Sequence, residues 1–170
     1  MKLAGCVMII FSGILLGLFL NRQLRARTEM ISDLVLSLTA MQNEISFAHA
    51  PFEEAFLRLS RIEGAVGKFY LRCHEEIKKT PRQTVFEIWR SSLKTLFEPF
   101  VFVSREYDAM LSLGRELGTG DVDAQMRAIA YAIEELSRLE VSASEDEKRK
   151  TRMYMGLSII AAAVIVIAAV

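Results

Sequence analysis

Apolar residues recur along most of this chain at intervals of three and four, the spacing that lines one face of a helix. No segment alternates with the period of two that a half-buried strand needs. Ile31, Leu34, Leu38, Met41, Ile45 and Ala48 form a first stripe, with no Gly or Pro between Asn21 and Ala50. Pro51 disfavours helical geometry in Ala50, so a break is expected there, and Pro51 itself can open the next helix. Phe52, Ala55, Phe56, Leu59 and Ile62 make the second stripe, and Gly64 and Gly67 punctuate before Val66, Phe69, Tyr70, Cys73 and Ile77. Thr80-Pro81 reads as a hydroxyl cap followed by a first-turn proline, starting a fourth helix on Val85, Phe86, Trp89, Leu93, Leu96 and Phe97. Pro99 restarts the chain ahead of Val103, Tyr107, Met110, Leu111 and Leu117. In the last and longest helix Val122, Met126, Ile129, Ile133 and Leu136 step by four and three, a heptad seam that weakens at Glu140 and resumes at Ala143. The expected fold is all-α: a six-helix bundle whose first and last helices run on into apolar segments at the two ends.

Those end segments change the picture. Residues 3–20 and 153–170 are each about 18 uncharged residues, near the lower limit for a helix that spans a bilayer. A cleaved signal peptide is disfavoured for the first, because no small-residue cleavage site follows and "NRQLRAR" comes next. A buried core helix is disfavoured for the second, where no polar stripe remains. Arg22, Arg25 and Arg27 follow the first run, and Lys148, Arg149, Lys150 and Arg152 precede the second, against Lys2 alone on the far side. Basic flanks stay in the cytoplasm. The expected layout is a membrane helix at 3–20, a cytosolic bundle at 21–152 and a membrane helix at 153–170, with both termini outside. Cys6 and Cys73 then lie in different environments and do not pair.

The charges balance, 21 basic against 21 acidic, which argues against a nucleic-acid binder. Neither apolar run holds an Asp, Glu, Lys, Arg or His, which argues against a pump or ion-coupled transporter. Gly13 and Gly17 form a GxxxG, and Ser158 and Ala162 repeat its spacing. Such spacing permits close helix packing, within the chain or between copies of it, so a homo-oligomer stays open. His49 and His74 stand apart from the other ligands a zinc site needs. The pairs Glu53-Glu54, Glu75-Glu76 and Glu134-Glu135 point about 100° apart on a helix and read as solvated faces. No cofactor, metal or catalytic set is expected, and the chain is read as a non-enzyme.

The stretch "LGRELGTGDVDAQMRAI", Leu113 to Ile129, combines three glycines with three acids. It fails as a dinucleotide loop, with Asp123 where the third glycine belongs, and as a P-loop, which needs Gly-Lys-Ser/Thr. As a calcium loop it has Met126 at the required glycine and Ala132 at the closing glutamate. It reads better as a helix stop at Gly118, a connection through Gly120, and a helix start capped by Asp121, with Asp123 favouring that start. Gly114 lies inside a helix, where glycine costs about 1 kcal/mol relative to alanine, so close approach of another helix is expected there.

With "LSLTAMQNEISFAHAPFEEAFLRLS", "VFEIWRSSL", "LGRELGTGDVDAQMRAIAYAIEELSRLE" and "KRKTRMYMGLSIIAAAVIVI", the whole chain resembles the stage III sporulation protein AB family. Gly118, Asp121 and Gln125 match the family's turn, and Gly120 replaces its serine. The resemblance implies a platform component of a secretion-like complex between mother cell and forespore. It also implies a bundle similar to the inner-membrane platform protein of type II secretion and type IV pilus systems, and a cytosolic secretion-type ATPase as partner. Arg115, Glu116, Thr119, Asp121, Asp123 and Gln125 are the nominated partner contacts. The alternative is a membrane-anchored coiled-coil assembly protein that joins copies through the Val122 to Leu136 seam without an ATPase.

Overall fold

A computed structural model describes the backbone of residues 2–48, 51–80, 82–99, 104–117 and 121–169, and the side chains of 21–46, 51–80, 82–99, 104–117, 121–153 and 156. Among the described residues there are six helices and no strand: α1 Lys2–Ala48, α2 Phe52–Leu59, α3 Gly64–Lys79, α4 Val85–Phe97, α5 Ser104–Glu116 and α6 Val122–Ala169. The chain divides into two compact units, one of Glu29–Glu140 and one of Met1–Thr28 with Val141–Val170. The expected continuity is present as backbone, because α1 and α6 are single helices of 47 and 48 residues that each include an apolar end run. Among the described residues no helix is long and apolar enough to cross a membrane; the side chains of both end runs lie almost wholly outside them.

In the Glu29–Glu140 unit the expected stripes become the core. Ile31, Leu34, Leu38, Met41 and Ile45 of α1 are buried with Ala55, Phe56 and Leu59 of α2. Val66, Phe69, Tyr70 and Cys73 of α3 are buried with Trp89, Leu93, Leu96 and Phe97 of α4. Successive helices α2 to α5 pack on one another in chain order, as the short connections require. The centre is aromatic. Phe69 meets Trp89 edge-on at 4.9 Å and 80°, and meets Tyr70 at 4.9 Å and 64°. Phe56 lies 5.9 Å from both Tyr70 and Trp89. Such offset and edge contacts add about 0.5–1.5 kcal/mol each beyond the area buried.

Two polar groups that α3 carries into this core, on Tyr70 and His74, find their partners on α1 and α2. Ser37 Oγ donates to Leu34 O at 2.8 Å, which uses its one proton, so the Tyr70 hydroxyl 3.0 Å away donates to Ser37. His74 is buried, with Nδ1 2.9 Å from Glu53 O; a carbonyl only accepts, so the Nδ1–H tautomer is the one held. Burial pushes the Cys73 thiol up to about 12, only partly offset by Ser92 and Arg72, and raises the Tyr70 phenol as well.

The helix boundaries show what each breaker does. Pro51 is the N-cap of α2, and its carbonyl accepts from Glu54 N and Ala55 N at 3.0 Å. Gly64 opens α3 at φ 89°, a conformation that disfavours any side chain. Gly67 lets the preceding turn pass close, since a Cβ there would lie 1.7 Å from Ile62 O. The fourth helix corrects the sequence reading. Thr80 ends α3, with its N–H and its hydroxyl both on Glu76 O, at 2.9 and 2.7 Å. The start belongs to Thr84, whose Oγ1 accepts from Glu87 N while Glu87 Oε2 accepts from Thr84 N at 2.9 Å. This reciprocal capping box satisfies two orphan donors, where Thr80 offers only one hydroxyl and no acid three residues on. Pro81, Val103 and His49 lie outside the described residues.

Candidate functional site: the α5–α6 face

The most informative surface is built around the turn from α5 to α6. Gly114 is buried in α5, and a Cβ there would sit 2.2 Å from Trp89 Cδ1 and 2.7 Å from its Nε1. The expected close approach is therefore made by the indole of Trp89, seated in the glycine notch. Trp89 Nε1 donates to Met110 O at 2.8 Å, one turn before the notch. The α4–α5 contact is thus fixed in rotation and in height by one side chain.

The start of α6 is tied down in two ways. Asp121 Oδ1 accepts from Asp123 N at 3.0 Å, the expected cap, and Asp121 O accepts from Gln125 N as the helix begins. Gln125 is buried, and its Nε2 donates to Leu117 O at 3.2 Å. That carbonyl lies at the end of α5, where no intrahelical donor remains. The amide thus clasps the end of one helix to the first turn of the next. Gln125, nominated as a surface contact, faces inward. Thr119, Gly118 and Gly120 lie outside the described residues, and so do the side-chain surroundings of Gly13, Gly17, Ser158 and Ala162.

Arg115, Glu116, Asp121 and Asp123 are exposed. Arg127, one turn and a half into α6, approaches Asp121 at 4.0 Å with both side chains well solvated, a weak pair. Between α5 and α6 runs an open groove of about 420 Å³. Its floor is small, with Ala109, Ser112, Ala124, Ala128 and Ala132, and its rim carries Glu116, Arg127 and Tyr131. Tyr131 is 67% exposed, the most exposed of the large apolar side chains described. The structure thus brings Glu116 together with Arg127 and Tyr131, two residues that the sequence reading passed over. A signal was available, because Tyr131 falls well off the buried stripe of its own helix.

That stripe also differs from the expected seam. The buried positions of α6 in this unit are Gln125, Ile129, Ala132, Leu136 and Leu139, stepping four, three, four, three. Val122 is 50% exposed, and Met126 and Ile133 are only half-buried. The heptad is real but is turned toward the bundle, through an alanine and a glutamine that a search for large apolar residues skips. Among the described residues no three of His, Cys, Asp and Glu converge as metal ligands.

The architecture is that of an all-α protein in which short helices α2 to α5, which lie in chain order between two long ones, pack in series on one another. Comparison with protein families gives a match to stage III sporulation protein AB over residues 2–169, and the chain belongs to that family. Among solved structures it is similar to "Stage III sporulation protein AB (SpoIIIAB)", with a TM-score of 0.65 and 21% identity over 71% of this chain and 94% of that one. At that identity the likeness speaks for the fold. No curated protein matches the chain. The family is one of stage III sporulation proteins, and the sporulation role expected from the quoted motifs stands with it.

Proposed function

We propose that this protein is a membrane-anchored, non-enzymatic platform of the stage III sporulation complex, held in the mother-cell side of the membrane around the forespore, and that it docks a cytosolic secretion-type ATPase. The observation that carries the reading is the pair of long helices. Each runs without a break from the bundle side chains into an apolar run of about 18 residues, the length a bilayer span requires. A helix all of whose neighbours are apolar is not solvated by water and has no polar face to present. The ATPase enters through the family and through the α5–α6 face, where an exposed tyrosine beside an arginine supplies the residue types that anchor protein interfaces. The turn of α6 onto its own bundle leaves little of the Val122 to Leu136 seam for a coiled coil between copies.

Capture of the cognate ATPase by the full chain in detergent or nanodiscs tests the docking. Binding that Arg127→Glu or Tyr131→Ala weakens at least tenfold, with unchanged helicity, supports it. Absence of binding by the folded wild-type chain up to roughly tens of micromolar, about −6 kcal/mol, refutes it. Alkaline extraction of cell membranes tests the anchoring separately, since an integral chain stays with the pellet.

A further inference from the structure

The second unit holds a feature that neither the platform role nor the docking face uses. Thr151 Oγ1 donates to Asn21 Oδ1 at 2.6 Å, joining residues 130 apart in the chain. Asn21 is the first residue after one apolar run, and Thr151 lies two residues before the other. The bond therefore sets the inner ends of the two runs level. It also brings the flanking charges into one band. Residues 21–28 and 148–152 contain Arg22, Arg25, Arg27, Lys148, Arg149, Lys150 and Arg152, and no acid. At 1.5 Å per residue these all fall within about 9 Å of the bond along the helices.

The acids are sorted behind the bases on both segments. Moving away from the run, α1 presents Arg22, Arg25 and Arg27 before Glu29 and Asp33; α6 presents Arg152, Lys150, Arg149 and Lys148 before Glu147, Asp146 and Glu145. Asp146 accepts from Arg149 at 2.9 Å, a pairing of the band with that acidic block. Arg22, Lys148, Lys150 and Arg152 have no ion pair among the described residues. Membrane orientation alone does not demand this sorting, because acidic residues contribute little to it. An anionic surface does demand it: within a Debye length of about 8–10 Å, bases are attracted and acids repelled.

We propose that this band is a binding collar for the phosphate headgroups of anionic phospholipids, which it gathers around the paired helices. The inference rests on the membrane anchoring proposed above. Its chemistry is charge-assisted hydrogen bonding of guanidinium and ammonium groups to phosphodiester oxygens, with Arg22 and Arg152 presenting the planar fork that grips two oxygens at once. The Asn21–Thr151 bond is the positioning element, since it holds two short basic segments as one cluster.

The test uses the full chain reconstituted in phosphatidylcholine vesicles with or without about 30% phosphatidylglycerol, read by flotation and by the motionally restricted fraction of spin-labelled lipids. The expected result is insertion into both vesicles, with labelled phosphatidylglycerol preferred over labelled phosphatidylcholine by about fivefold or more at low salt, the effect of a single basic residue near an anionic surface setting that floor. The preference should collapse toward one in 0.5 M NaCl. It should also collapse in the variant Arg22→Gln/Lys148→Gln/Lys150→Gln/Arg152→Gln, and persist in the control Arg61→Gln/Lys68→Gln/Arg82→Gln/Arg90→Gln. Equal association of both lipids with an inserted wild-type chain overturns the collar and leaves the anchoring standing. Loss of the preference in inorganic phosphate at constant ionic strength assigns the site to free phosphate and also overturns it. A chain that floats with neither vesicle overturns the anchoring, and the collar with it.

Discussion

Replacing Gly114 by alanine is the sharpest test of how the bundle is held. On an exposed helix the change would stabilise by about 1 kcal/mol, because alanine is the better helix former. Here the added methyl would sit 2.2 Å from Trp89 Cδ1 and 2.9 Å from its Cγ, against an ordinary contact of at least 3.4 Å. The indole must retreat by more than an ångström. It has no room, being fully buried and in ring contact with Phe56, Phe69 and Tyr70. Forced repacking costs about 1–3 kcal/mol, and the loss of the 2.8 Å bond to Met110 O adds about 1 kcal/mol. Set against the gain in propensity, Gly114→Ala should destabilise by about 1–3 kcal/mol. The chain has one tryptophan, so its emission reports this site without interference. Urea unfolding of the full chain in mild detergent, followed by that emission and by far-ultraviolet circular dichroism, gives the number. In a Trp89→Leu background the cost of the alanine should shrink, because the group it strikes is gone. A Gly114→Ala chain as stable as wild type, with unshifted emission, would refute the notch.

The other outcomes are simpler to state. Thr84→Ala should lower stability by about 1 kcal/mol and fray α4, as read by hydrogen exchange at Val85 to Glu87, because the capping box is lost. Gln125→Leu leaves Leu117 O without its donor and should cost about 1–3 kcal/mol by urea unfolding, whereas a surface role for Gln125 would leave stability unchanged. Cys73 takes its proton more tightly when folded, with a pKa of about 12 against 9.0 for the free thiol, so its contribution is intact below pH 9 and is lost as pH rises toward 12. Stability should fall by up to about 1.4 kcal/mol per pH unit through that window, and Cys73→Val should flatten the part of the slope that Tyr70 does not supply. A stability that is level from pH 9 to 11 would contradict this.

Helix count, helix faces and the Gly114 notch were legible because they follow from rules that act over one or two turns. Period, breaker residues and the cost of a mid-helix glycine are all local. Ile31, Leu34, Leu38, Met41 and Ile45 are buried as their spacing requires, and Asp121 caps α6 as its chemistry requires. The errors arose where two local signals competed. Thr80-Pro81 and Thr84-Val-Phe-Glu87 both resemble a helix start, and the second wins because it satisfies two donors. The seam of α6 was read one step off because large apolar residues were weighted over Ala132 and Gln125, which are buried for steric fit and for a hydrogen bond. The groove with Tyr131 was invisible for a different reason. It exists only where α5 and α6 lie side by side, a long-range fact that no spacing within either helix contains.

The bond from Gln125 to Leu117 bears on how this part of the gene tolerates change. It closes the chain on itself across the connection, so both ends of that connection are pinned by an interaction outside it. The start of α6 relative to the end of α5 is then set by this bond together with the Asp121 cap. A residue inserted at positions 118–120 should cost only the small entropy of a longer closed loop, a few tenths of a kcal/mol, while the same insertion one turn earlier or later would turn a helix face away from the core. The clasp thus ties the start of α6 to the end of α5 through a side chain rather than through the length of the connection.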